Sequence, residues 1–266
     1  MGFTFDHDYH IHSMLSACSN DAAQSTERIL QYAKDNGLKR ICITDHFWDE
    51  RVAGASDWYA PQNFEHISRA KPLPIADGVE FLFGCETEMD KLFTVGVSTE
   101  RYDEFDFVII PTTHLHMTGF TLSEEDAKSD DRRAQLWVER FERLLDMPLP
   151  FHKIGIAHLA CPLISPRDRS AYLAVLDMIS DGDMERIFTR AAERGCGIEI
   201  NSFDMKFADG EADSVLRMFR IAKKCGCKFY FGSDAHHPAA LDEAKQIFER
   251  AADLLGLEES DKFVIN

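Results

Sequence analysis

Short runs of β-branched and aromatic residues alternate along this chain with longer stretches in which apolar positions recur every three or four residues. The short runs are apolar nearly throughout, as parallel strands buried on both faces are. They fall at Phe3–Ile11, Lys39–Thr44, Val79–Cys85, Phe105–Pro111, Lys153–Ala157, Cys196–Asn201 and Lys228–Ser233. The longer stretches predict helices over Thr26–Asn36, Arg132–Asp146, Asp183–Arg194, Ala212–Cys225 and Leu241–Leu255. Four of these run into a glycine (Gly37, Gly195, Gly226 and Gly256), the residue that most readily takes the left-handed turn ending a helix. Strand–helix order recurring about seven times predicts a β/α barrel or an open parallel sheet. No linker rich in Gly, Pro or Ser divides residues 1–266, so a single α/β domain is expected. Two regions interrupt the alternation. Residues 47–77, with Trp48, Trp58, Tyr59 and several prolines, and the acidic residues 117–131 both follow strands. They read as solvated loops or as lids above the strand ends.

Composition narrows the class. Apolar residues make up 45% of the chain, enough for a sizeable core, and 28% are charged, ordinary for a soluble protein. Asp plus Glu (46) outnumber Lys plus Arg (29), for a formal charge of −17. A field of that sign repels a phosphate backbone, which disfavours long nucleic acid as a partner. It says less about a small phosphorylated substrate, because bound metal ions invert the local sign. No apolar run approaches the ~20 residues that span a bilayer, and MGFTFDHDYH lacks the basic and apolar regions of a signal peptide. The seven cysteines (Cys18, Cys42, Cys85, Cys161, Cys196, Cys225 and Cys227) are odd in number and lack C-x-x-C spacing. That pattern argues against a disulfide framework or zinc ribbon, and for a reducing, cytoplasmic setting.

Six of the eleven histidines stand at or just past a strand end: His10 and His12 in HDYHIHS, His46 in ITDHF, His114 in IIPTTHLH, His158 in IGIAHLA and His236 in FGSDAHHP. His7, His66, His116, His152 and His237 are left as incidental. Asp45, Glu86 and Asp234 add carboxylates at the same kind of position. In parallel β/α folds, sites are assembled from loops at the C-terminal strand ends. H-x-H puts two imidazoles on one face of an extended segment, and D-x-H does the same with mixed ligands. One such feature carries little, since a lone histidine after a strand is more often a hydrogen-bonded loop residue. The whole set predicts a metal centre, because a buried polar cluster is costly unless something satisfies it.

In this order the motifs resemble the PHP (polymerase and histidinol phosphatase) superfamily, over nearly the whole chain: HDYHIHSMLS, ITDH, GCE, TTH, IAH, EINS and GSDAHHP. The resemblance implies a distorted (β/α)7 TIM-like barrel, in keeping with the candidate strands. It also implies two or three divalent ions, of zinc, iron or manganese. His10, His12, Glu86 and Asp234 would build one site, and Glu86 would bridge to a second ion held by His114 and His158. His46 and His236 would serve a third. Many members have a histidine where this chain has Cys18; a thiolate there suits a soft ion such as zinc, and Asp21 is the other candidate. EINS and the chain length are most similar to the stand-alone, histidinol-phosphatase-like branch.

The expected reaction is hydrolysis of a small phosphomonoester, histidinol phosphate among the candidates. Two ions about 3.5–4 Å apart lower the pKa of a bridging water and clamp phosphate oxygens. Glu86, Asp234 and His236 are the expected catalytic residues, with Asp45 behind them. Arg167 is the first candidate to bind substrate, followed by Lys206, His237 and Asn201. Surface solvation, helix capping or loop bracing are the plainer readings of those positions. A nuclease or phosphodiesterase reading rests on Trp48, Trp58 and Tyr59, aromatics able to stack a base. Metal-dependent cleavage of a carbon–nitrogen or carboxyl ester bond is open to any strand-end histidine cluster. A non-catalytic metal-binding protein would keep the ligands but leave no open coordination position.

Overall fold

Parallel strands buried on both faces need helices outside them and packed side chains within, and the chain supplies both. A computed structural model describes residues 2–19 and 21–265. Seven strands, β1 (His7–Ile11), β2 (Arg40–Ile43), β3 (Glu80–Glu86), β4 (Phe107–Pro111), β5 (Ile154–Ala157), β6 (Gly197–Asn201) and β7 (Lys228–Gly232), pair in parallel and in sequence order. Around them run α1 (Thr26–Asn36), α2 (Phe64–Ile67), α3 (Asp130–Asp146), α4 (Arg169–Met178), α5 (Asp181–Arg194), α6 (Ala212–Lys224) and α7 (Pro238–Leu255). The result is a single-domain, distorted (β/α)7 barrel. Local chemistry sets the helix limits: on α1 the Ser25 hydroxyl accepts from the Arg28 N–H, and Gly37 at φ 68° closes the last turn.

Strand alternation separates two cores. On β4, Phe107 and Ile109 face the barrel interior with Tyr9, Leu82, Ala157 and Tyr230, while Val108 and Ile110 join the outer core beneath the helices. Phe263 and Ile265 enter the interior from the C-terminal segment. That segment is held by Phe263 N–H donating to Phe229 O (2.7 Å) and Arg40 Nη1 donating to Ile265 O (2.8 Å). Both anchors lie at the N-terminal ends of strands, so this end is plugged and the opposite end is left for a site.

The barrel closes imperfectly between β7 and β1. At the top, Asp234 N–H donates to His10 O (2.7 Å) and His12 N–H to Ala235 O (3.1 Å). Lower down, side chains replace the ladder: His7 Nε2 accepts from Phe231 N–H (3.1 Å), and Asp8 Oδ1 from Ser233 N–H (3.0 Å). Buried backbone donors along the seam are thereby satisfied. The β1–β2 register also shifts between Asp8 and Ile11, as strands do where an end is re-aimed near a site.

Three features differ from the sequence pattern. β1 starts at His7, not Phe3, because Phe3 N–H bonds to Leu257 O (3.3 Å) and Gly2 bridges to Glu258, so the first residues follow the C-terminal segment. Helix α4 went unassigned, although Asp168 caps it and Tyr172, Val175 and Leu176 form its buried stripe. The crossovers around β3 carry only α2 and 3-10 turns over Ser68–Ala70 and Thr99–Glu104 among the described residues, and most of residues 47–77 is irregular chain beyond the strand ends. Among the described residues, no helix is long and apolar enough to cross a membrane.

Gly155 on β5 faces the interior layer, where an added Cβ would lie within 2.5 Å of the Phe107 ring and closer still to the Tyr230 hydroxyl. Overpacking of this kind costs about 1–3 kcal/mol. Gly155→Val is therefore expected to lower the urea midpoint with an unchanged m-value, which equilibrium denaturation would measure.

Candidate metal centre

The strand ends bring all eight expected ligands into one cleft. His10 and His12 end β1, His46 follows β2, Glu86 ends β3, His114 follows β4, His158 follows β5, and Asp234 and His236 follow β7. Two of them adopt left-handed backbone conformations that only surrounding structure can hold: His158 at φ 29° and Asp234 at φ 53°. Asp234 is pinned by its N–H bond to His10 O, and His158 by its N–H donating to Glu199 Oε2 (2.6 Å).

Donor atoms converge at three points. His10 Nε2 and His12 Nε2 are 3.1 Å apart. Asp234 Oδ1 lies 3.4 and 3.2 Å from them, and Glu86 Oε2 3.5 and 3.3 Å. A tetrahedral ion with bonds of about 2.0–2.2 Å has donor–donor edges of about 3.3–3.6 Å, so the five separations measured from the two imidazoles are close to what such an ion requires. Glu86 Oε1 points the other way, 3.1 Å from His158 Nε2, and Glu86, His114 and His158 form a second group whose ligand atoms lie within 4.8 Å of one another. His12, His46 and His236 form the third. His46 Nδ1 is buried 3.0 Å from Glu86 Oε2 without hydrogen-bond geometry, an orphaned donor or lone pair that an ion would satisfy.

Five rings are aimed by their other nitrogen. His10 Nδ1 meets Glu199 Oε1 (2.6 Å), His12 Nδ1 the Ser16 hydroxyl (2.8 Å), His114 Nδ1 Glu88 Oε2 (2.8 Å), His158 Nδ1 the Thr113 hydroxyl (2.9 Å) and His236 Nδ1 the Asp234 carbonyl (2.8 Å). Each partner accepts the Nδ1–H, which leaves the Nε2 lone pair for a metal. Ser16 in turn donates to Asp45 (2.7 Å), so Asp45 stands one bond behind His12. Buried Arg140 on α3 donates to Glu88 (3.0 Å) and to the carbonyls of Met89 and Thr112, tying the loops after β3 and β4 together behind His114. Glu199 occupies the space Gly232 leaves open: a Cβ there would overlap its Oε1.

Glu88, Glu199, Ser16 and Arg140 were not anticipated from sequence. Glu88, two residues beyond Glu86, carried the same strand-end signal as the ligands, whereas Glu199 lies in the middle of β6, inside the EINS motif. Ser16 and Arg140 carried none, since an arginine inside a helix reads as a solvated position.

Electrostatics fit the same picture. Burial would raise the Glu86 and Asp234 carboxyls, but the surrounding imidazoles hold both well below the usual range. Burial would lower His10, His12 and His158, yet the carboxylates win and raise all three, His158 to about 9 through Glu86. Burial and its neighbour His158 push His114 well down, and burial with His12 lowers His236 to about 3. Nitrogen and carboxylate oxygen donors suit zinc, iron or manganese.

A cavity of about 510 Å³ opens above the ligands, and both loops that interrupt the alternation form its walls: Trp58 and Tyr59 from residues 47–77, Met117 and Phe120 from residues 117–131. Cys18 is exposed at its edge, while Asp21 lies 3.5 Å from His237 and joins none of the three groups. His116, left as incidental in the sequence, also lines it. The four residues expected to bind substrate do not. Arg167 is paired with Asp130 and Lys206 with Glu243 (2.8 Å) at the surface, and His237 faces Asp21. Asn201 is buried beneath the cavity, donating to Glu199 (3.2 Å) and Asp234 (3.4 Å).

A family model described as the PHP domain matches residues 8–203. A "probable phosphatase" of Caldicellulosiruptor saccharolyticus is 25% identical over 244 residues, 90% of this chain and 85% of that protein. Its counterpart in Caldicellulosiruptor bescii is 24% identical over 233 residues, 87% and 80% of the two chains. Among solved structures, histidinol phosphate phosphatase of Lactococcus lactis, in complex with zinc, L-histidinol and phosphate, superposes with a TM-score of 0.55 at 17% identity, covering 97% of this chain and 98% of its own. At that identity the likeness shows the fold.

Metal and protons compete for the same nitrogens. In the metal-free protein the neighbouring carboxylates raise His158 to about 9, so that ring holds a proton at neutral pH, which an incoming ion must displace. Loading at pH 7 is thus expected to release protons, with affinity climbing as pH rises and levelling off above about 9. Calorimetry in buffers of different ionisation enthalpy checks this, and binding heats independent of buffer would contradict it.

Proposed function

This chain belongs to the PHP domain family, and from that premise we propose that it is a divalent-metal-dependent phosphatase of small phosphomonoesters. The observation that carries the reading is Glu86, whose two oxygens face two separate groups of imidazoles beneath an open cavity. His10, His12, Glu86 and Asp234 would hold one ion, and Glu86, His114 and His158 a second. His46 and His236, with His12, would serve a weaker third. Bound there, the ions supply an activated water and neutralise phosphate charge.

The chain's own residues do the rest. Glu199, Ser16, Glu88 and Thr113 fix the ligand rings, so the site is organised before substrate arrives. The loops at residues 47–77 and 117–131 wall the reacting centre from bulk water. No Lys or Arg lines the cavity among the described residues, which leaves a polynucleotide backbone without a cationic track and disfavours the nuclease reading. We place the protein in the cytoplasm, in keeping with its free cysteines, and take histidinol phosphate as one substrate to try.

Metal analysis of the purified protein followed by a phosphomonoester panel is the direct test. Glu86→Gln keeps the side-chain volume but removes the shared charge. It is expected to lower bound metal and cut turnover by at least about 10²-fold, with thermal unfolding still cooperative. Full activity in that variant would sink the two-ion reading. Cys18→His is expected to tighten the third ion, read as added metal stoichiometry at equal free metal; an unchanged stoichiometry would separate Cys18 from that site.

A further inference from the structure

We propose that the cavity above the metal centre selects phosphomonoesters whose leaving group is uncharged and apolar, about the size of one aromatic ring on a short alkyl arm. The inference rests on the phosphatase reading and names the substrate class of that site.

The cavity is far more than a phosphate slot. Its floor is formed by His46, Glu86, His114, Asp234 and His236 of the candidate ligand set. Its walls are mainly Trp58, Tyr59, Met117, Phe120 and Leu163, from the loops after β2, β4 and β5, with Cys18, Ser56 and His116 as their polar members. A phosphoryl group on the floor therefore sends its ester oxygen and leaving group up between aromatic and thioether walls. Pockets of this volume lined by apolar side chains, with polar groups confined to one end, suit small molecules that are polar only at that end.

Charge complementarity excludes the alternatives. No Lys or Arg lines the cavity among the described residues, so a second phosphate or a carboxylate on the leaving group finds no counter-ion. Nearby cations are already engaged: Arg133 donates to the carbonyls of Leu115 and Ile164, Arg140 to Glu88, Arg167 to Asp130 and Lys206 to Glu243. The carboxylates that line it among the described residues, Glu86 and Asp234, are committed to the imidazoles of the floor. An ammonium group on the leaving group would be desolvated without a partner, at considerable cost. A polyol would exchange its hydration for a wall whose hydrogen-bonding side chains are Ser56, Tyr59, Trp58 and His116, set among Met117, Phe120 and Leu163, which return none.

The walls are also fixed in place, so the preference is preformed. Phe120 packs against Trp48 (5.4 Å between ring centroids) and Tyr59 (5.5 Å), both fully buried. Trp48 is anchored by its indole N–H on Val52 O (2.8 Å), and Gly96 leaves the room its ring needs. Lys91 N–H donates to Phe120 O (2.7 Å), and the Thr121 hydroxyl donates to His114 O, which ties this wall to a ligand. Trp58 sits edge-on to His46 (5.0 Å) and Tyr59 (4.8 Å) while 41% of it remains exposed. An exposed tryptophan over a ligand set is a ready platform for an apolar ring.

The test compares alkyl phosphates of similar intrinsic reactivity on the metal-loaded protein: 2-phenylethyl phosphate, glycerol 1-phosphate and histidinol phosphate. Binding of the free alcohol 2-phenylethanol is followed separately by calorimetry. kcat/KM for 2-phenylethyl phosphate is expected to exceed the other two by at least tenfold, and Phe120→Ser to cut that ratio and weaken 2-phenylethanol binding at least fivefold. Equal or better turnover of glycerol 1-phosphate or histidinol phosphate would overturn the proposal. If no phosphomonoester is hydrolysed but 2-phenylethanol binds in a Phe120-dependent way, the phosphatase reading fails while the cavity's preference stands. Absence of both hydrolysis and binding overturns the two together.

Discussion

Glu86 is a fully buried carboxylate with imidazole nitrogens on both sides and no lysine or arginine among its contacts. In water such a group would be solvated; here burial raises its cost, and only partial positive charge on neighbouring rings offsets it. Removing either side leaves an uncompensated charge in the barrel mouth. The rings are equally dependent, since two Nε2 atoms 3.1 Å apart cannot both keep protons. Divalent cations between them resolve every one of these conflicts at once. The strand ends, the left-handed residues and the supporting carboxylates are arranged around that requirement.

The supports show how it is met. A loop can carry a ligand, but it cannot aim one to a few tenths of an ångström without outside help. Glu199 reaches His10 from β6, Ser16 reaches His12 with Asp45 from another loop behind it, and Glu88 braces His114 with Arg140 behind it. Gly232 belongs to the same device, because its missing side chain is the space Glu199 occupies. The glycine of the GSDAH motif thus has a packing reason that no property of the metal itself would suggest.

Much of this was legible in the sequence because ligands and strands share one periodic signal. A strand end followed by His or a carboxylate marks both the secondary structure and the cleft, and so the positions that converge there came out together with the barrel. Glu88 carries the same signal and Glu199 lies within β6 in the EINS motif, but neither has a role without a reason to need a second layer of carboxylates. Arg140 was beyond reach: its burial depends on where α3 packs, a tertiary fact. Arg167 and Lys206 misled for the converse reason. A cation near a strand end suggests a phosphate clamp, but each has an acidic neighbour brought up by a distant helix, Asp130 on α3 and Glu243 on α7. Long loops hid their role as well, since nothing in residues 47–77 or 117–131 shows that Trp58 and Phe120 meet across one cavity.

The seam between β7 and β1 joins the fold to the site. Ordinary ladder bonding gives way there to the side chains of His7 and Asp8, and only near the top do backbone bonds resume, between Asp234 and His10 and between His12 and Ala235. Those residues are the ligands themselves or their neighbours. An ion held by His10, His12 and Asp234 therefore cross-links the first and last strands of the barrel at the point where their pairing is weakest. Its binding free energy adds to that of folding wherever the unfolded chain binds it less well. Barrel closure and metal retention would in this way be a single equilibrium, and β1, irregular between Asp8 and Ile11, carries both imidazoles to one point.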